Sequence, residues 1–218
     1  MIDLHTHSLF SDGVLIPAEL VQRAKAKGYE ALAITDHADR SNLDWIIARI
    51  VRFCEDFKKK SDFNVFPGIE LTHVLPETIF PLTQEARKLG AQVVVVHGET
   101  IVEPVPPGTN RAALEAGVDI LAHPGLISKT EVLLAKGKGI LLEISARRGH
   151  CLTNGHVARL AKDVGAPLIL DTDAHEPEDL LDSAQALRVI LGAGLVEADW
   201  ENIQKNAKNF VGRILTEK

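Results

Sequence analysis

Residues 93–97 read Val93-Val94-Val95-Val96-His97, four β-branched residues in a row closed by an imidazole. Side chains branched at Cβ are stiff at χ1 and favour extended backbone. A strand that is apolar at every position, without polar alternation, has to be covered on both faces, which is the situation of a parallel strand in an α/β protein. A helical stretch over 82–89, stopped by Gly90, leads directly into it.

The same unit recurs on either side. Upstream, Ile2 to Leu4 predicts a short strand. A helix starts at Pro17, where proline suits the first turn, and ends at Gly28. Ala31 to Ile34 predicts a buried strand. Leu43 to Lys59 carries helical periodicity, with Ser41 or Asn42 as its cap, and Val65-Phe66 opens a third strand. Downstream, helices over 111–116, 129–135 and 155–164 each end near a glycine and precede strands at 120–121, 140–142 and 168–170. Residues 177–214 read as helical with one break near Gly192-Ala193-Gly194. About seven strands, each followed by a helical connection, predict an α/β fold that is either a closed barrel or a doubly wound sheet. No glycine-rich phosphate loop follows the first strand, which favours the barrel. The Glu103-Pro104-Val105-Pro106-Pro107-Gly108 loop suits a segment bordering a site better than a domain boundary. One domain over residues 1–218 is the expected organisation.

Composition narrows the partners. Hydrophobic residues make up 45% and charged residues 25%, with a net charge of −6 and the two signs interspersed. Binding to a phosphate backbone wants a clustered basic surface, so nucleic acid is not the expected main partner, whereas a small phosphorylated metabolite needs only a local positive site. Two cysteines, Cys54 and Cys151, make no disulfide framework and are expected to be reduced thiols. Without a basic and apolar leader or a membrane-length apolar run, the expected location is the cytoplasm, with no membrane contact. Oligomeric state leaves no trace in the sequence.

Placed on this map, the ionisable residues gather at strand ends. The first strand leads into His5-Thr6-His7 with Asp12 beyond, the second into Thr35-Asp36-His37, and the third into Glu70. His97, His123 and Glu143 end the next three, and the seventh runs into Asp171-Thr172-Asp173-Ala174-His175. In a parallel barrel those ends converge on one mouth, where sites of this architecture are built. His5 and His7, two apart on extended chain, point the same way and can share one metal, and Asp173 and His175 repeat the spacing. A single histidine at a strand end is more often a polar cap, but this many at matching ends predict a metal site. Imidazole with carboxylate suits zinc, manganese or iron, and the absence of cysteine ligands argues against a structural zinc site. Arg147-Arg148-Gly149-His150 is a compact basic cluster after the sixth strand, where either arginine could clamp a phosphate through paired N–H groups. His73 is a weaker ligand candidate than His97, and His156 reads as surface.

These motifs resemble the polymerase and histidinol phosphatase (PHP) superfamily: Asp3-Leu4-His5-Thr6-His7-Ser8 with Ser11-Asp12-Gly13, Thr35-Asp36-His37, Pro67-Gly68-Ile69-Glu70, Val96-His97, Ala122-His123-Pro124 and Asp173-Ala174-His175. The resemblance spans residues 3–175 and fills all nine usual ligand positions. It implies a distorted (βα)7 TIM-like barrel and two to three divalent ions. By that similarity His5, His7, Glu70 and Asp173 hold the first, Glu70 bridges to a second held by His97 and His123, and Asp12, His37 and His175 hold a third. Glu70, Asp173 and His175 are then also the catalytic residues. Glu143 falls outside the set, as a residue behind the ligands or facing substrate. The implied chemistry is hydrolysis of a small phosphate monoester, histidinol-phosphate-like or a nucleotide, by a metal-bridging hydroxide. Three other readings compete: a metallo-dependent amidohydrolase, a nuclease-like PHP module, and a non-catalytic metal or phosphate sensor. The first expects a lysine where His97 stands and gives Asp12, His37 and His175 no role. The acidic balance speaks against the second, and a complete ligand set against the third.

Overall fold

The computed structural model describes residues 1–216; the last two residues of the expected 1–218 domain lie outside the described residues. Its strands are β1 (Ile2–Asp3), β2 (Ala31–Ile34), β3 (His37–Ala38), β4 (Asn64–Leu71), β5 (Val93–His97), β6 (Ile120–Ala122), β7 (Leu141–Ser145) and β8 (Leu168–Asp171). Between and after them run α1 (Pro17–Ala26), α2 (Leu43–Lys58), α3 (Pro76–Lys88), α4 (Thr109–Ala116), α5 (Lys129–Lys138), α6 (Asn154–Val164), α7 (Ser183–Gly192) and α8 (Glu197–Thr216). All strand pairings are parallel, in the order β1-β2-β4-β5-β6-β7-β8. The two-residue β3 continues β2 past a break and pairs with β4, aligning His37 with Glu70. This is the expected α/β TIM-like barrel of seven strand positions.

The seam between the first and last strands is closed mainly beyond their ends. The backbone N–H of Asp173 donates to the His5 carbonyl at 2.9 Å, that of His7 donates to the Ala174 carbonyl at 2.8 Å, and Thr6 bridges Ala174. Side chains complete it: Leu4 N–H donates to Asp171 Oδ1 at 2.7 Å, while Asp3 accepts the Thr172 hydroxyl. The residues that close the barrel are therefore the neighbours of the candidate ligands.

Alternation then sorts side chains into two layers. Phe66, Val93, Val95, Ile120, Ala122, Leu141 and Ile169 fill the barrel interior together with Ile2, Leu4, Ala31 and Ala33. Ile69, Leu71, Val94, Val96, Leu121, Leu142, Ile144 and Leu170 face outward into the helical layer. Ala207, Phe210 and Val211 of α8 pack onto the interior set and close its lower end. The inward parity carries on to Glu70 in β4, His97 in β5 and Glu143 in β7, so buried polar groups cap an apolar plug.

Some local expectations change. α3 starts at Pro76, not at residue 82, and takes Pro81 inside it; the missing N–H of Pro81 costs one bond early in a helix otherwise anchored by buried Ile79 and Leu82. Asn42 stands at the cap position of α2, but its side chain accepts from Asp39 N–H instead of from the helix. Residues 177–179 form a turn, 180–182 are irregular, and helix begins at Ser183, where Asp182 and Gln185 make a capping box. His156 is half-buried, hydrogen-bonded through Nε2 to the Ile127 carbonyl, so it is not a free surface side chain. No helix among the described residues is long and apolar enough to cross a membrane.

Candidate metal centre

Glu70 is fully buried and stands at the meeting point of five imidazoles. Its carboxylate oxygens lie 2.6 Å from His37 Nδ1, 3.4 Å from His5 Nε2 and His97 Nδ1, 3.6 Å from His123 Nε2 and 3.7 Å from His7 Nε2. Asp173 closes the other side, 3.1 Å from His7 Nε2 and 3.8 Å from His123 Nε2. Farther out, Asp12 Oδ1 is 3.1 Å from His175 Nε2 and 3.4 Å from His37 Nε2. All nine residues predicted as ligands thus fall in one cluster. Four of its subsets bring ligand atoms within 4.8 Å of one another: His5, His7 and Glu70; His5, His123 and Asp173; Glu70, His97 and His123; and His7, Asp12, His37 and His175.

Local backbone presents these groups. His123 and Asp173 adopt φ of 27° and 52°, a region L-residues avoid at about 1–2 kcal/mol. His123 follows the inward Ala122, and its left-handed step turns the side chain toward the axis where plain alternation would turn it away; Asp173 lies two residues past Asp171, the end of β8. Asp12 depends on Asp36, which accepts hydrogen bonds from the backbone and hydroxyl of both Ser8 and Ser11 at 2.8–3.1 Å. Asp36 lies within a quoted motif, yet nothing local signals that its side chain ties down the loop of another strand.

A cation fits this arrangement on the evidence of its orphaned atoms. His5 Nε2, both ring nitrogens of His7 and of His97, His123 Nδ1, Glu70 Oε1 and Asp173 Oδ1 are buried without a hydrogen-bond partner. Each such atom costs about 1–3 kcal/mol when unsatisfied, and a positive ion bound among them would satisfy them together. The field of the cluster agrees. Burial alone would raise Glu70, but the imidazoles of His5 and His37 hold its carboxyl well below the usual range. Burial would likewise depress His97, which the neighbouring carboxylates of Glu103 and Glu70 instead push up to about 9. His7 is lowered well below its ordinary value by burial and by the neighbouring charge of His37. Lone pairs and negative charge are held ready at the centre of the mouth.

Behind the ligands, Glu143 Oε1 is 2.7 Å from His5 Nδ1, and Oε2 accepts the His123 backbone N–H at 2.8 Å. It orients two histidines and does not face the cleft. That cleft, of about 250 Å³, is lined by Asp12, His37, Thr72, His73, His97, Glu103, Arg147, His150, Asp173 and His175. Arg147 lies along its edge, donating from Nη1 to the Asp173 carbonyl at 3.3 Å, while Arg148 is exposed and outside the lining. His150 is buried, stacked on His123 at 4.0 Å, with Nδ1 2.8 Å from the Thr100 hydroxyl. His73 is exposed, and its Nε2 lies 3.2 Å from Glu103 Oε2. Glu103 was not foreseen as a site residue; the one available signal was its place in the proline-rich loop expected to border the site.

The PHP domain pattern matches residues 3–145. An uncharacterized protein of Methanocaldococcus jannaschii is 50% identical over 92% of this chain and 93% of its own length. A probable phosphatase of Thermoanaerobacter sp. strain X514 is 27% identical over 90% of this chain and 88% of its own. Among solved structures, a chain of an archaeal ribonuclease P complex with mature tRNA superposes with a TM-score of 0.74 at 17% identity, covering 100% of this chain and 94% of that one. A histidinol phosphate phosphatase from Lactococcus lactis, complexed with zinc, L-histidinol and phosphate, superposes with a TM-score of 0.60 at 20% identity, covering 89% and 94%. At those identities the structural likenesses speak to the fold.

Proposed function

This chain belongs to the PHP domain family, and from that premise we propose that it is a metal-dependent phosphatase hydrolysing a small phosphate monoester. The observation that carries the reading is the position of Glu70, one fully buried carboxylate within 4 Å of five imidazoles. The ligand sets are His5, His7, Glu70 and Asp173; Glu70, His97 and His123; and Asp12, His37 and His175. Zinc, manganese or iron suits these donors, and zinc accompanies the phosphate in the Lactococcus lactis phosphatase. When bound, such ions lower the pKa of water toward neutrality and offset the charge that repels nucleophiles from a phosphoryl group.

The chain's own side chains supply the rest. Glu143 accepts the His5 Nδ1 proton, which leaves Nε2 as a lone pair facing Glu70 and Asp173. Arg147 borders the cleft, where its guanidinium can take two phosphoryl oxygens and align the ester. The cleft volume suits a phosphoryl group with a compact leaving group, histidinol-like or a nucleotide, and its enclosure by Glu103 and His150 keeps bulk water from the centre.

The test is phosphate release by zinc-, manganese- and iron-loaded protein from a panel of histidinol phosphate, nucleoside monophosphates and bisphosphates, and 5′-phosphorylated oligonucleotides. Release from the small esters is expected, with activity abolished and metal content lowered in Glu70→Ala and His123→Ala. Release from none of them, or normal turnover by either variant, refutes the reading. Degradation of the oligonucleotides alone would make the chain a nuclease.

A further inference from the structure

His97 presents its two ring nitrogens to two different carboxylates. Nδ1 lies 3.4 Å from Glu70 Oε1, inside the barrel, and Nε2 lies 3.1 Å from Glu103 Oε2, on the solvent side. The side chain is 3% exposed, and neither nitrogen has a hydrogen-bond partner. His73 brings Nε2 to 3.2 Å from the same Glu103 oxygen, so His73, His97 and Glu103 place ligand atoms within 4.8 Å of one another. Glu103 and His73 are 39% and 41% exposed, whereas Glu70 and His123 are at 0% and 1%.

We propose that His73, Glu103 and the outer nitrogen of His97 form a rim site that captures a divalent cation from solvent and passes it to the buried set of Glu70, His97 and His123. The proposal rests on the reading that the buried set holds a metal. A hydrated ion cannot enter a fully buried cluster without shedding water, and two exposed ligands with the outer nitrogen of His97 behind them replace that water stepwise. A neutral imidazole offers one lone pair, so His97 serves the outer or the inner position and not both at once. That exclusivity makes the rim set a transit position, distinct from the nine-residue centre.

Two structural features hold the rim set in place. His73 sits at φ 53°, a left-handed conformation unusual for a residue with a Cβ. The loop carrying Glu103 is pinned at its base, where Glu99 Oε1 accepts the N–H groups of Gly108 and Asn110 at 3.0 and 2.9 Å. An ordinary surface pair between His73 and Glu103 would account for neither the partnerless outer nitrogen of His97 nor its alignment with the pair.

Exchange of isotopically labelled zinc into the zinc-loaded full chain, followed by mass spectrometry of the metal, tests this. His73→Ala and Glu103→Gln are expected to bind the same equivalents of zinc as the parent but to exchange the ion in the buried set about tenfold more slowly. Parent-like exchange in both variants, or a loss of bound equivalents, overturns the transit role. Absence of tightly held zinc from the parent chain would instead overturn the metal centre, and the rim proposal with it.

Discussion

His5 Nδ1 and Glu143 Oε1 lie 2.7 Å apart, both fully buried, joining residues 138 positions apart in the chain. Because the other Glu143 oxygen holds the His123 backbone N–H, one carboxylate orients two histidines on either side of Glu70. In Glu143→Gln the amide has a single oxygen for two donors, and its NH2 group must face one of them. Metal affinity is expected to drop about 10- to 100-fold, with activity falling in parallel. Competition with a chromophoric chelator measures it, and parent-like affinity would remove Glu143 from this role.

The two arginines of the basic cluster are not equivalent. Arg147 lines the cleft and contacts Asp173 and Asp179, whereas Arg148 is exposed. Arg147→Lys keeps the charge but loses the planar pair of donors. It is expected to lower kcat/KM about 100-fold, while Arg148→Ala stays within about threefold. Equal losses in steady-state kinetics would contradict the assignment.

Removing the metal should leave a distinctive pH dependence of stability. With burial opposing and the neighbouring carboxylates of Glu103 and Glu70 prevailing, His97 is raised from 6.5 to about 9, and His5 and His37 are also raised. A raised histidine stabilises the folded chain fully below its unfolded value, and that contribution is lost as pH climbs through the folded one. The chelator-treated protein is therefore expected to lose stability between pH 6.5 and 9, by up to about 3 kcal/mol from His97 alone. Urea midpoints at the two pH values decide, and an equal or higher midpoint at pH 9 contradicts the prediction.

Close packing at the strand ends gives another test. A Cβ on Gly98 would lie 2.3 Å from the Ala122 carbonyl oxygen and 2.8 Å from Pro124 Cα. Gly98 N–H also donates to that carbonyl at 3.0 Å, and this contact fixes the spacing of His97 and His123. Gly98→Ala is expected to destabilise the chain by about 1–3 kcal/mol and to reduce bound metal. Gly137, inside α5 with open space around it, serves as the control: alanine there should be neutral or stabilise by up to about 1 kcal/mol. Thermal denaturation with metal analysis distinguishes them.

Sequence alone determined what period-two and glycine-punctuated patterns can carry. The all-valine stretch of β5, the strand-helix alternation and the clustering of histidine and carboxylate at strand ends are local features, and a parallel barrel turns each into a position at one mouth. Tertiary structure decided what depends on closure. Glu143 ended a predicted strand, but only closure of the barrel, with β7 beside β6 and one strand removed from β1, brings its two oxygens to His5 and His123. Arg147 and Arg148 are equal in sequence, and the path of the chain after Ser145 separates them. Glu103 joins the site because its loop folds back over β5, and His73 because a left-handed step ends the extended chain after β4. Such contacts link residues far apart in sequence through backbone turns that no local periodicity encodes. Residue types therefore announced a metal centre, while the closed barrel alone assigned its orienting and rim residues.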